Sequence, residues 1–570
     1  MPYADLYDSP ENGVRIYINS HISDRDRIKL IPGSLFDPSV EQWHLPVSWA
    51  AAVGLRGVFG LELQVGPHLN NWAAQYIERV VSPALHLRPA MEVPDLMESE
   101  HLLYPFQRVG VRFLETVGSA LLADDMGSGK TIQIIRAIAR MQPMSRPVLI
   151  VCPNSMKFTW RDEILKWSDM IPIVIDGTAA KRKKQIESGA DVFIINWESL
   201  RLHSKLAPYG SLSLTETEKT PKELNERVWG TVVADEGHRA KDPKSKQTRA
   251  LWAVAEGANY RIAATGTPIE SHPGELWSIM RFVSPDNFPG KTKYVDRYCM
   301  QSYNPFGGMD ITGLQPEHAD EFHRIVDHLV LRRPKDVILP QLPPKVETVR
   351  YIPFTGKQAT AYKQMKKDMV AEIGDGEVTM ALNPLQKFIR LAQFASSYAE
   401  LDNGKPMLAM PSNKIDAFMD LMEEAGHEQV VAFAESKQLI RLTAQQLERQ
   451  GYRYGMITSD TTPDQRAAYV REFQEGRLQV MLCTSAGSEG ITLTAARILV
   501  FLQRFWSSIT NQQAADRVHR IGQERGVEII TFATIGTVDE GREKSMKDKS
   551  QSLQEILQDD ALRQQILGWG

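Results

Sequence analysis

Ala123-Asp124-Asp125-Met126-Gly127-Ser128-Gly129-Lys130-Thr131 is the stretch on which the fold of this chain turns. Leu121-Leu122 lead into it as a strand would, and Ile132, Ile134, Ile135 and Ile138 leave it at helical spacing. Two glycines between a strand and a helix allow a tight turn, whose backbone N–H groups, with the helix N-terminus, face phosphate oxygens. Lys130 adds a point charge there and the Thr131 hydroxyl can ligate Mg²⁺, so ATP or GTP is the guest these residues suit. The strict phosphate-loop pattern has glycine at position 124, where this chain has Asp124, leaving the shorter Gly-x-Gly-Lys-Thr core. A chance glycine turn is the competing reading, and the flanking sequence decides between them.

Outward from the loop, the chain reads as one parallel sheet. Residues 147–152, 193–196, 231–234 and 261–264 are apolar on both faces, as in strands covered by helices. The third run ends in Asp235-Glu236-Gly237-His238. Two adjacent acids at the carboxyl end of a buried strand are costly unless they serve a cation or a reaction. Asp235 can hold the Mg²⁺ that Thr131 helps ligate, and Glu236 can orient or deprotonate an attacking water. The fourth run ends in the polar tip Thr265-Gly266-Thr267-Pro268, so loop, acids and tip fall at strand ends of one sheet. Before the loop, Pro105 opens a helix in which Gln107 is either a reader of the adenine edge or an ordinary surface residue. Residues 205–226 read as a polar surface insertion, and Lys181-Arg182-Lys183-Lys184 as a solvated helix face.

A chain of 570 residues is too long for one core, so two to four domains are expected. Hydrophobic residues at 42% and charged residues at 24% exclude a largely disordered chain. No basic-then-apolar leader opens the sequence and no apolar run is long enough to cross a bilayer, so an intracellular protein is expected. Cys152, Cys299 and Cys483 fit no metal or redox spacing and read as reduced core residues. A net charge of −4 gives no bulk attraction to nucleic acid, although a local basic channel remains open.

Residues 1–95 read as a small α+β module, 272 to about 330 as helical, and Pro340, Pro343 and Pro344 as a stiff linker. Residues 357–397 read as the helical body of a protrusion spanning about 355–410, followed by strands at 429–434, 454–457, 480–483 and 498–502 of a second α/β lobe without its own phosphate loop. That lobe carries Gln513-Ala514-Ala515-Asp516-Arg517-Val518-His519-Arg520-Ile521-Gly522-Gln523, which reads as a helix with Gln513, Arg517 and Arg520 on one face. Two arginines so placed are either a solvated basic face or the pair that stabilises charge on a transferring γ-phosphoryl group, worth about 10³-fold or more in arginine-finger enzymes.

Taken together, Asp-Glu-Gly-His followed by Arg239-Ala240-Lys241-Asp242-Pro243-Lys244-Ser245, Thr-Gly-Thr-Pro-Ile-Glu continuing to Glu275-Leu276-Trp277, and His519-Arg520-Ile521-Gly522-Gln523 resemble the SWI/SNF-type ATPases of helicase superfamily two. Asp124 belongs to that family's form of the loop. Asp242 and Ser271 stand where the family usually has asparagine, and Ser488, in Thr484 to Gly490, where it usually has glycine. The resemblance covers roughly residues 100–550. It implies an α/β protein of two RecA-like P-loop lobes with helical insertions plus a small N-terminal α+β domain: 1–95 accessory, 96–340 first lobe, 341–540 second lobe and 541–570 a C-terminal brace helix. Leu331-Arg332-Arg333-Pro334-Lys335 resembles the passage out of the first lobe.

By the same resemblance, Lys130, Asp235, Glu236, Arg517 and Arg520 are catalytic. Gln107, Asp125, Met126, Gly127, Ser128, Gly129, Lys130, Thr131, Gly490 and Gln513 hold ATP, and Thr131 and Asp235 hold Mg²⁺. Lys157, Trp160, Arg239, Lys241, Lys244, Thr265, Thr267, Thr484 and Trp506 contact DNA or couple to it. The implied activity is ATP-driven movement on double-stranded or branched DNA by a monomeric motor without a membrane partner, in repair, recombination or fork remodelling. Such a motor is expected in a bacterial or virus-infected cytoplasm, or in a nucleus if the source is eukaryotic. The alternatives are a strand-separating DNA or RNA helicase and a catalytically silent DNA-binding module. Trp43-His44-Leu45-Pro46 resembles the recognition modules preceding the motor in HARP-type annealing helicases, against a plain packing domain.

Overall fold

A computed structural model describes the chain except residues 10–11, 94–99, 270–271, 304–307, 355, 369, 374–376, 381–383, 403–404, 489 and 544–570. Ser271, and the expected brace helix beyond Glu543, lie outside the described residues. The chain divides at Ile338/Leu339 into two compact units. No helix among the described residues is long and apolar enough to cross a membrane.

The first unit is built on a seven-stranded parallel sheet in the order Val330–Leu331, Ala120–Leu122, Tyr260–Ala264, Thr231–Asp235, Val148–Cys152, Val192–Asn196, Pro172–Val174. Successive side chains on a strand point to opposite faces, so the apolar runs feed two cores. Leu149, Val151, Phe193, Ile195 and Val232 enter one; Val148, Ile150, Ile194, Val233 and Ile262 enter the other. Every crossover returns in the same direction, which places all loop-bearing strand ends along one edge.

The N-terminal module is a five-stranded sheet ordered Leu35–Asp37, Gln42–Leu45, Gly13–Asn19, Tyr3–Ser9, Gln64–Val65. Ala4, Ile16, Ile18 and Leu45 pack against Leu55, Phe59 and Leu69 of the helices Trp49–Phe59 and Pro67–Tyr76. Gly54 permits the close approach, since a Cβ there would lie 2.9 Å from Ile31 Cγ2. The module is docked on the insertion after the sheet: Trp49 Nε1 donates to Arg324 O at 2.9 Å, Ala50 N to Asn287 Oδ1 at 2.8 Å, and Lys293 Nζ to Ser34 Oγ at 2.8 Å.

His328 lies in this joint, wholly buried, with Nε2 3.2 Å from the Tyr76 hydroxyl. Burial pushes its pKa down to about 4, although Asp327 acts the other way. Below the ordinary pKa of about 6.5 the unfolded chain binds a proton that the folded chain refuses. His328 therefore withholds no stability above that pH, and stability falls as pH drops from about 6.5 towards 4, by on the order of 3 kcal/mol at most. Urea unfolding at pH 7 and pH 5 should show a larger loss for the wild type than for His328→Gln; equal losses would exclude this origin.

Two expectations need correction here. The 272–330 insertion is not purely helical: beside Gly274–Val283, Lys291–Tyr298 and Ala319–Val326 it holds the antiparallel pair Cys299–Tyr303 and Met309–Leu314. Residues 205–226 are not merely surface, because Leu206 and Leu224 are buried in the core and the Asn225 side chain accepts from Lys205 N at 2.7 Å. Short apolar contributions inside polar segments carry too little periodicity to be read beforehand.

The second unit holds a six-stranded parallel sheet in the order Lys345–Ile352, Val527–Thr534, Ile498–Phe501, Val430–Phe433, Val480–Cys483, Tyr454–Ile457. The sequence reading passed over the first two of these: Val527–Thr534 carries a buried apolar run that it left unread, whereas Lys345–Ile352 offered none. It is an edge strand, so Lys345, Glu347 and Arg350 sit among its apolar residues and no buried-strand run appears. The prolines before it are fixed to this unit: Val527 N donates to Pro344 O at 3.0 Å and His519 Nε2 lies 2.9 Å from Pro343 O. The protrusion contains the helices Gly356–Asp368 and Pro384–Ser396, but also two antiparallel strand pairs, Val370–Ile373 with Glu377–Met380 and Tyr398–Asp402 with Lys405–Ala409.

Candidate functional site

Ala120–Leu122 runs into the phosphate loop and the loop into the helix Lys130–Arg140. Gly127 (φ 80°) and Gly129 (φ 74°) take left-handed backbone that disfavours any side chain. A Cβ on Gly129 would lie 2.5 Å from Gln107 Nε2. That amide is buried and engaged at both ends, Oε1 accepting from Tyr104 N at 3.1 Å and Nε2 donating to Ser128 O at 3.1 Å. Gln107 is thus neither a surface residue nor, in this structure, turned to an open base edge; it holds the turn. Lys130 Nζ donates to the carbonyls of Asp124 (2.8 Å) and Asp125 (3.2 Å). Its burial lowers its pKa, opposed by the carboxylates of Glu236, Asp124, Asp125 and Asp235. Met126 is buried, Thr131 half-buried at the start of the helix, and Asp125 accepts from Lys335 N at 2.9 Å.

Two strands along, the acid strand ends inside a shell of indoles. Trp160 Nε1 donates to Asp235 Oδ2 at 2.8 Å and Trp197 Nε1 to Asp235 O at 2.9 Å. Burial, then the neighbouring Glu236, raises the Asp235 carboxyl to about 7. Glu236 follows in left-handed backbone (φ 51°), unusual for a non-glycine residue, and its Oε2 lies 3.2 Å from His238 Nδ1. The same imidazole nitrogen is 3.1 Å from Thr265 Oγ1, which also accepts from Thr267 N at 3.1 Å. The strand carrying that tip, Tyr260–Ala264, lies between the loop strand and the acid strand.

Gly266 permits this assembly, since a Cβ there would fall 2.4 Å from Met126 Cγ and 3.1 Å from Met126 N. Gly266→Ala should push the loop away from the tip and raise the KM for ATP by about tenfold, measured by steady-state turnover. An unchanged KM would show that the contact does not set the loop.

In the second unit the helix Ser508–Ala515 ends before the arginines, so Arg517 and Arg520 do not share a helix face with Gln513, as the spacing had implied. They come together on the turn that follows. Arg517 Nη1 and Arg520 Nη1 both lie 3.3 Å from the Ile491 carbonyl, and Arg517 Nε donates to Gln513 O at 3.1 Å. Gly490, just before Ile491, has φ 68°, and Gln513 is buried. Gln523 pins the turn by donating to Thr494 O (3.0 Å), Ala496 O (2.8 Å) and Val518 O (3.2 Å).

Residues 71–397 match the SNF2-related domain and residues 413–522 the helicase conserved C-terminal domain. The chain belongs to the SNF2-related family. Relatives include the human DNA annealing helicase and endonuclease ZRANB3, 30% identical over 78% of this chain and 39% of its own length. The DNA excision repair protein CSB of Oryza sativa is 27% identical over 80% of this chain and 41% of its own. The chain spans about half or less of the length of the curated relatives it matches. A Sulfolobus solfataricus SWI2/SNF2 ATPase core in complex with dsDNA matches at 25% identity and a TM-score of 0.39, covering 81% of this chain and 95% of that one.

Within this SNF2-related chain the residues expected to meet DNA fall into different environments. Trp160 is wholly buried and donates to Asp235, a place that leaves it no surface for DNA contact and leaves the coupling half of the expectation open. Lys157, largely buried, lines an open polar recess of about 310 Å³ with Asn154, Asp176, Arg182, Asn196 and Glu198. Arg239 Nη1 reaches Glu198 Oε1 at 3.0 Å, Lys241 is 3.9 Å from Glu275, and Lys244 is exposed. Asp242 accepts from Lys244 N at 2.9 Å, a turn bond that asparagine could also make. Thr265 and Thr267 are buried in the tip, and Thr484 is buried at the end of its strand. Trp506 is exposed on one side and carries the Arg542 guanidinium 3.5 Å from its ring centroid. Glu489 lies outside the described residues. Sequence reading missed the roles of Trp197, His238 and the Arg332-Arg333 pair; His238 and the arginines stand in recognisable motifs, Trp197 in none, and only the fold shows what each touches.

Proposed function

We propose that this chain is the motor of a DNA-dependent ATPase that hydrolyses Mg·ATP to move on double-stranded or branched DNA in repair, recombination or fork remodelling. The observation that carries it is that Lys130, half-buried on the phosphate loop, lies within the electrostatic reach of Asp235 and Glu236 at the strand ends of one sheet in an SNF2-related chain. The Asp235 carboxylate and the Thr131 hydroxyl are hard oxygen donors that suit Mg²⁺, and a carboxyl raised by burial is one that a cation would return to its ionised form. The metal, when bound, would draw charge from the phosphate oxygens. Lys130 would leave its loop carbonyls for the phosphates, Glu236 would orient the attacking water and take its proton, and the second lobe would supply Arg517 and Arg520 to the developing charge.

ZRANB3 and CSB are named for work on DNA, which supports duplex or branched DNA as the partner of this chain too. The proposed division is 1–95 for recognition of DNA structure, 96–340 and 341–540 for the two lobes, and 541–570 for a brace, in a monomeric protein of the cytoplasm or nucleus. Turnover measured with duplex, forked and single-stranded DNA and with RNA tests the assignment. A strand-separating helicase would instead unwind forked DNA or RNA with turnover following single strands.

A further inference from the structure

Nothing in the roles above uses the segment that leaves the first sheet. Val330–Leu331 adds the outermost parallel strand, Leu331 beside Leu122, and the chain then runs along the phosphate loop. Ala123 N donates to Leu331 O at 2.7 Å and Asp125 N to Arg333 O at 3.3 Å. The loop entry is therefore zipped to a segment about two hundred positions away in sequence.

Two arginines tighten this zip. Arg333 makes a two-pronged pair with Asp124, Nε to Oδ1 at 3.0 Å and Nη2 to Oδ2 at 2.5 Å, with the Asp124 side chain wholly buried and Arg333 only 3% exposed. Arg333 Nη1 also donates to Phe106 O at 2.8 Å, next to Gln107, which holds Ser128 O. Arg332 Nη1 lies 3.4 Å from Ala123 O and 3.3 Å from Gly266 O. The loop is thereby fixed at its entry by Arg333 and at Ser128 by Gln107, with left-handed Gly127 between them and left-handed Gly129 just beyond. A buried carboxylate is costly unless paired, and a planar guanidinium in a two-pronged bond dictates the direction as well as the position of its partner. A phosphate-binding turn held in shape before its ligand arrives needs no ordering on binding.

We propose that Arg333, acting through Asp124, is a positioning residue of the nucleotide site: it holds the phosphate loop in its binding shape from the segment that leads out of the first lobe. This role rests on the loop binding ATP. Asp124, the residue that breaks the strict loop pattern, is then the anchor that replaces glycine's freedom at that position.

The test uses the full chain, with Arg333→Lys, which keeps the charge and loses the fork, and Asp124→Asn, which keeps the shape and loses the charge. Amide hydrogen exchange is followed at 123–131 and, as an internal reference, at 231–235, and binding of mant-ATP with Mg²⁺ is titrated. Expected is exchange at 123–131 faster by about tenfold or more with 231–235 unchanged, and mant-ATP affinity lower by about tenfold. Unchanged exchange at 123–131, or exchange raised equally in both segments, overturns the proposal, the second outcome marking a pair that serves general stability alone. A wild-type chain that binds no mant-ATP overturns the nucleotide assignment itself; wild-type binding matched by both variants overturns only the positioning role.

Discussion

Glu236→Gln should leave the chain folded and able to bind Mg·ATP while lowering DNA-stimulated turnover by about a thousandfold or more. The amide has the volume of the carboxylate and can keep the left-handed backbone position at φ 51°, so the strand end need not move. It cannot take a proton from an attacking water at neutral pH. The His238 nitrogen 3.2 Å from Glu236 Oε2 and 3.1 Å from Thr265 Oγ1 still has an oxygen on either side in the variant, so the link to the tip is conserved. Single-turnover hydrolysis beside mant-ATP titration separates the two effects. Turnover within threefold of wild type would remove Glu236 from the chemistry.

Arg520→Ala should cost turnover about a hundredfold or more and the KM for ATP little. Of the two arginines it is the cleaner probe, because both guanidinium groups reach the Ile491 carbonyl at 3.3 Å, so Arg517 still serves that oxygen when Arg520 is removed. Arg517 additionally braces its own turn through Gln513 O at 3.1 Å, so its loss would mix catalysis with local structure. A variant with wild-type kcat would show that the pair is the solvated basic surface that the bare sequence also allows.

Much of the first unit was legible because its strands are buried on both faces and end in charged or polar tips; 148–152 and 231–235 announce themselves by composition alone. The edge strand Lys345–Ile352 did not, since one side of an edge is open and its charges look like a linker. The antiparallel pair Cys299–Tyr303 and Met309–Leu314 hid for the same reason, being largely exposed. At the site, residue types foretold which groups lie near one another better than what each one touches. Lys130, Asp235 and Glu236 converge, but Trp160 proved to be a buried support of Asp235, and Gln107 a brace of the turn. Those roles depend on hydrogen bonds between residues tens of positions apart, for which a single sequence has no local signal. Asp124 is the sharpest instance: its partner Arg333 stands in the Leu331-to-Lys335 motif, yet only the parallel pairing of 330–331 with 121–122 brings them together.

The most direct measurement is steady-state ATP hydrolysis by the full chain with Mg²⁺, titrated in parallel with duplex DNA, forked DNA, single-stranded DNA and RNA. The expected result is low basal turnover raised about tenfold or more by duplex or forked DNA, little changed by RNA, and abolished in Glu236→Gln. Turnover indifferent to DNA, or driven by RNA or single strands alone, would contradict the assignment of this chain as a duplex-DNA motor.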